Sequence, residues 1–179
     1  EGEVLQLLNV HDADITDEAY LRVIHYKTAK LFEAATRLGA IICSASQQDE
    51  EAMAEYGMRL GTAFQLIDDV LDFSGDSQEI GKNLGDDLAE GKPTLPLLIA
   101  MRLGTAAQAQ TIRKAIEEGG LDELPAVMQA VHDTGALDQV RAIARQEAQA
   151  GCDAIQRLPD SPSRQALLKL AEFAVDRTF

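Results

Sequence analysis

An all-α fold is what this sequence predicts, on three observations. Apolar residues recur at helical spacing along its main segments. Those segments are bounded by capping residues, glycines and prolines. A hydrophobic content of 46% comes with only 4% aromatics and abundant alanine, which suits close helix packing. At 179 residues the chain has the size of one domain with a core of its own. No internal repeat or low-complexity linker divides it, so residues 1–179 are expected to form a single helical domain.

The early segment DITDEAYLRVIHYKTAKLFEAATRLGAIICSA has a helix start at Thr16, with Asp17 and Glu18 well placed for the helix dipole. Its core stripe runs through Tyr20, Ile24, Leu31, Ala35, Leu38 and Ile42. Lys27 and Thr28 project within roughly 60° of the centre of that stripe, whereas Arg22 and Lys30 point away. A lysine on a core-facing stripe either snorkels to water or finds an anion, and this segment leaves both open.

The stretch GTAFQLIDDVLDF carries the chain's most informative pattern. On a helix, Asp68, Asp72, Gln65 and Asp69 fall in that order within an arc of roughly 100°, while Leu60, Phe64, Ile67, Val70 and Leu71 fill the opposite arc. Carboxylates converging on one patch repel each other unless a hard cation neutralises them, and Mg²⁺ is usually held by one or two carboxylates plus waters and substrate phosphates. A solvated acidic face is the competing interpretation.

The segment SGDSQEIGKNLGDDLAEGKPTLPLL follows, with glycines at 75, 81, 85 and 91 and lysines at 82 and 92. Glycines let the backbone approach a ligand closely, and Lys82 and Lys92 are mobile point charges suited to phosphate oxygens. Asp86 and Asp87 either join a metal shell or cap the next turn, and a capping or loop-ordering role is preferred. Pro93, Thr94 and Pro96 open an apolar helix from Leu95 to Met101.

Thr105 with Gln108 forms a capping box, and Gly119 with Gly120 stops the helix it starts. Further helices are expected from Glu123 to Thr134, ending at Gly135, and from Leu137 to Arg157, ending before Pro159. Ser161 with Pro162 begins the last one. The short connections make sequence neighbours antiparallel, and the role of this half is packing.

The balance of 30 acidic to 16 basic residues, net −14, argues against a nucleic-acid partner, which wants a basic patch. It gives no attraction to anionic lipid either. No apolar run is long enough to span a bilayer and no secretory signal is visible, so the cytoplasm is the default expectation. Cys43 and Cys152 lack CxxC spacing and are expected as reduced thiols. His11, His25 and His132 are too scattered for a histidine metal site.

EGEVLQL, YKTAKLFEA, GTAFQLIDDVLDF and GKNLGDDLAEGKPTLPLL, in this order and spacing, resemble the trans-polyprenyl diphosphate synthases, most of all the bacterial octaprenyl enzymes. The resemblance runs along nearly the whole chain and implies a helical bundle of the isoprenoid synthase type. It also implies that Asp68, Asp69 and Asp72 match the second aspartate-rich motif and hold Mg²⁺ bridged to an allylic diphosphate. Lys27 and Thr28 match the KT pair beside the reacting carbon and the leaving oxygen. Gln65 matches the glutamine one turn before the motif, Lys82 and Lys92 match two diphosphate lysines, and Gln6 matches a glutamine near the site.

The resemblance further implies head-to-tail condensation of isopentenyl diphosphate with an allylic prenyl diphosphate. The product would be octaprenyl or nonaprenyl diphosphate, delivered to a membrane for a quinone side chain, and the enzyme would be a homodimer. The family's first aspartate-rich motif is missing, and Asp12, Asp14 and Asp17 do not replace it, because they lie at a helix start and not on one helical face. The chain is therefore expected to be a C-terminal fragment, truncated on its N-terminal side and turning over little or nothing alone. The other class left open is a non-catalytic helical partner of a complete synthase. A related terpene cyclase fits the KT, GK and GKPT words less well.

Overall fold

The computed structural model describes residues 1–74 and 84–177, and the expectation for Lys82 lies outside them. Among the described residues every regular element is helical. Helix α1 spans Gly2–Asn9 and α2 spans Asp17–Ile24. A π-helical turn over His25–Ala29 leads without a break into α3, Lys30–Ile42. The long α4 covers Gln47–Ser74. After it come the single turn α5, Asp86–Ala89, and α6, Leu95–Leu103. The remainder is α7, Ala106–Glu118, then α8, Leu124–Asp133, α9, Ala136–Ala154, and α10, Pro162–Asp176.

Local chemistry accounts for the boundaries. The Thr16 hydroxyl accepts the Ala19 N–H, and the Ser161 hydroxyl accepts the Arg164 N–H. Thr105 and Gln108 form a full capping box, and α7 stops at Gly119 with a positive φ of 69°. Helix α9 ends earlier than expected, at Ala154 and not Arg157, and the next residues turn under Ile155, which is fully buried. No described helix is long and apolar enough to cross a membrane.

Helix α4 is the axis of the fold. Its second half, through Leu66, Ile67, Val70, Leu71 and Phe73, shares one apolar core with residues of α2, α6, α7, α8 and α9. Its first half packs Tyr56, Leu60 and Ala63 against α9 and α10 through Ala148, Ile155, Ala171 and Ala174. The two-sided helix expected from the sequence is thus buried nearly all round over residues 60–71. Each fully buried leucine or isoleucine there contributes about 1.5–3 kcal/mol.

The stripe expected on α3 is corrected. Leu31, Leu38 and Ile42 are 71%, 54% and 81% exposed. The buried and half-buried positions are instead Ala29, Phe32, Glu33, Thr36, Arg37 and Ala40. The cause is the π turn at His25–Ala29. It takes up extra residues in one turn, so the face that Tyr20 and Ile24 bury rotates away from Leu31 and onto Ala29 and Phe32.

Candidate functional site

Three close approaches build the site. Gly61 of α4 has no room for a side chain, because a Cβ there would stand 2.7 Å from Ala29 Cα. That contact lays the π turn, with Lys27 and Thr28 on it, against α4 one turn before Gln65. Gly2 lies against the backbone of Tyr26 and Lys27, where a Cβ would overlap it, and this brings Glu3 and Gln6 of α1 to the lysine. The third approach is the segment 84–94, which returns to α4 through Gly85 N–H donating to Asp72 O at 3.0 Å. Gly85 takes φ of 78° there, a left-handed conformation that glycine adopts freely.

The result is one cavity of about 240 Å³. Gln6, Lys27, Thr28, Gln65, Asp68, Asp69, Asp87 and Lys92 line it, with Ile15, Val23 and Ile24 as apolar wall. Lys27 reaches the rim, donates to Gln6 Oε1 and pairs with Glu3 at 3.1 Å. The choice left open for this lysine therefore ends at the solvent edge of a cavity, with acidic and amide partners. Thr28 Oγ1 donates to Gln65 Oε1 at 3.0 Å, and Gln65 Nε2 donates to Asp69 Oδ1 at 2.9 Å.

The carboxylates do not converge as the helical arc suggested. Asp69 is 2% exposed and turns inward, where Tyr20 donates to its Oδ2 at 2.5 Å. Asp72 accepts the backbone N–H groups of Asp86 at 3.1 Å and Asp87 at 3.3 Å, and so caps α5. Asp68 faces the cavity with Arg177 Nη2 at 3.6 Å from its Oδ1. Arg177 also stacks on the Phe64 ring at 4.0 Å and donates to Phe64 O at 2.9 Å. Among the described residues no three His, Cys, Asp or Glu side chains form a ready-made metal cluster. The physical reason is the 100° step between successive residues: Asp68 and Asp72 share one side of α4, Gln65 and Asp69 the next, where Gln65 meets the π turn and Asp69 meets α2.

Of the capping or loop-ordering role preferred for Asp86 and Asp87, the structure shows the second, at Asp87. They receive the cap from Asp72, and Asp87 in turn holds Lys92 Nζ at 2.9 Å, which Glu90 also meets at 2.8 Å. Asp14 pairs with Arg113 at 2.6 Å and Asp17 with Arg102 at 2.8 Å, on the far side of Ile15 from the site. Sequence reasoning missed Tyr20 and Arg177 as site neighbours. Tyr20 read as an ordinary core position, and its hydroxyl in an apolar stripe was the one available signal.

Burial, and next the charge of Asp87, push the Asp69 carboxyl up to about 7. The same two causes push Asp72 up to about 7. Burial alone would lower Lys92, but its hydrogen bonds to Glu90 and Asp87 outweigh that and raise it. This is an acidic pocket short of positive charge. The carboxylates on the cavity, Asp68, Asp69 and Asp87, fit a divalent cation that arrives with an anionic ligand, since Mg²⁺ needs only one or two carboxylates when phosphates and waters complete its shell. Asp68 and Asp69 both line the cavity, and Asp68 is the less buried of the two.

The Polyprenyl synthetase family model matches residues 1–133. The chain is 54% identical over 178 residues to the octaprenyl diphosphate synthase of Escherichia coli (strain K12), covering 99% of this chain and 55% of that protein. It is 45% identical to the all-trans-nonaprenyl-diphosphate synthase (geranyl-diphosphate specific) of Rhodobacter capsulatus, over 99% of this chain and 54% of that one. Among solved structures, the polyprenyl synthase from Caulobacter crescentus CB15 complexed with calcium and isoprenyl diphosphate is similar with a TM-score of 0.94. It is 39% identical over 99% of this chain and 55% of that one. The chain spans about half the length of the curated relatives it matches. A half-length helical domain with this cavity and these relatives belongs to the polyprenyl synthetase family.

Proposed function

We propose that this chain supplies the diphosphate-binding half of a trans-prenyltransferase that condenses isopentenyl diphosphate with an allylic prenyl diphosphate, giving a long-chain product of octaprenyl or nonaprenyl length. The observation that carries this reading is the single cavity joining Lys27, Thr28, Gln65, Asp68 and Lys92 from separate segments of the chain. The calcium and isoprenyl diphosphate in the Caulobacter relative agree with it.

In the reaction the allylic C1–O bond breaks, diphosphate leaves with the electron pair, the alkene of isopentenyl diphosphate forms the new C–C bond, and a proton is lost. Asp68, backed by the acidic field of Asp69 and Asp72, would hold Mg²⁺, which when bound neutralises charge on the departing diphosphate. Lys27 at the rim and Lys92 inside supply fixed positive charge to diphosphate oxygens, a role shared by Lys82 and, through an amide, Gln6. Such preorganised charge is worth most where it meets charge that grows along the reaction. Thr28 stands beside Lys27 at the reacting end, and Ile15, Val23 and Ile24 keep water from the cationic carbon. The leaving diphosphate can accept the proton, so no side-chain base is required. The complete enzyme would work as a cytoplasmic homodimer and pass its product to a membrane.

The test is calorimetric titration of farnesyl diphosphate into the folded chain with and without Mg²⁺, beside a variant with Asp68→Ala, Asp69→Ala and Asp72→Ala. Binding that requires Mg²⁺ and is lost in the folded variant is the expected result. Absence of any Mg²⁺-dependent binding by the folded parent chain would overturn the reading.

A further inference from the structure

We infer that Tyr20 is a positioning residue of this site: its buried hydroxyl fixes Asp69, and Asp69 in turn sets Gln65 and Thr28 at the cavity wall. The inference rests on the diphosphate-site reading above. Tyr20 is 5% exposed and its phenol donates to Asp69 Oδ2 across the α2–α4 contact. The other oxygen, Oδ1, accepts from Gln65 Nε2, and Gln65 Oε1 accepts from Thr28 Oγ1. All four side chains line the cavity.

The relay has a direction: Gln65 turns its NH₂ to Asp69 Oδ1 at 2.9 Å and its carbonyl to Thr28 Oγ1 at 3.0 Å, so the Thr28 proton is committed to Gln65. The oxygen lone pairs of Thr28 are then what it offers to its surroundings. Phenylalanine would fill the same core volume beside Ile24 and Ile67. A buried hydroxyl at that position costs free energy unless it is paired, and here its whole pairing is spent on Asp69.

Thermal stability alone does not separate positioning from packing, because removing the donor of a buried carboxylate destabilises in either case. The test is a double-mutant cycle on Mg²⁺-dependent farnesyl diphosphate binding with Tyr20→Phe, Thr28→Val and both together. It is accompanied by NMR of the Gln65 side-chain amide and the Thr28 methyl in the ligand-free chain. Tyr20→Phe is expected to weaken binding about tenfold, and the double variant to lose much less than the sum of the two single losses. The Gln65 amide signals should move.

Parent-like affinity in folded Tyr20→Phe, or additive losses with unmoved Gln65 signals, would overturn the inference. If the folded parent binds no diphosphate, the site reading fails, and the NMR comparison then decides the positioning by itself. If Tyr20→Phe does not fold, Asp69→Asn replaces it. An asparagine that accepts from Tyr20 presents its NH₂ to Gln65 and flips that amide, so unmoved Gln65 and Thr28 signals in this variant would likewise sink the idea.

Discussion

Ala29 Cα lies 2.7 Å from where a Cβ of Gly61 would stand, so these two residues hold the π turn and α4 in backbone contact. The contact decides whether Thr28 reaches Gln65. Gly61→Val must force the two helices apart. The expected outcome is destabilisation of about 1–3 kcal/mol, the usual range for overpacking, measured by urea unfolding. Loss of the Thr28–Gln65 hydrogen bond should accompany it. A variant as stable as the parent would show that the interface has slack.

Stability in the absence of divalent cations should fall as pH rises from about 5 to 8. The Asp69 and Asp72 carboxyls titrate at about 7 in the folded chain, against an ordinary value of 3.8. The folded state therefore holds protons that the unfolded chain has already released. Their contribution is complete below the ordinary carboxylate range and is lost as pH climbs through 7. For the fully buried Asp69 the effect is on the order of 3 kcal/mol. Thermal unfolding at pH 5.5 and pH 8 reads it, and Asp69→Asn should flatten the slope. A melting temperature that rises with pH would contradict the assignment.

Asp72 reaches across to the N–H groups of Asp86 and Asp87, the first turn of α5. Asp72→Ala should cost about 1–2 kcal/mol, as for other lost helix caps. Faster hydrogen exchange is expected at the amides of 86 and 87, with Asp72→Asn intermediate. Since Asp87 holds Lys92, diphosphate affinity should fall with the cap. Unchanged exchange at these amides would show that α5 does not depend on Asp72.

The two stripes of α3 make a further contrast. Leu38→Lys and Ile42→Lys lie on the exposed side and should change stability by no more than about 0.5 kcal/mol. Phe32→Ala removes a ring 5.6 Å from Phe64 on the buried side and should cost about 3 kcal/mol. Chemical denaturation of the three variants distinguishes the rotated register from the unrotated one, in which the order of costs would reverse.

The sequence by itself determined the helical class, nearly every helix boundary in the second half, and the family, because caps, glycines, prolines and ordered motif words are local properties of the chain. Thr105 with Gln108 and Ser161 with Pro162 mark helix starts whatever else surrounds them. It also determined the group of side chains at the cavity, since Lys27, Thr28, Gln65, Asp68 and Lys92 all line it. Only the tertiary structure decided which way each one points. A regular helical projection has no means of anticipating the π turn that moved the α3 face from Leu31 to Phe32. Nor does it show which of four clustered polar groups a neighbouring helix will claim. Asp69 turns to Tyr20, Asp72 to the start of α5, and Asp68 to the cavity, because a buried carboxylate takes its orientation from the donors packed around it, and those come from distant parts of the chain.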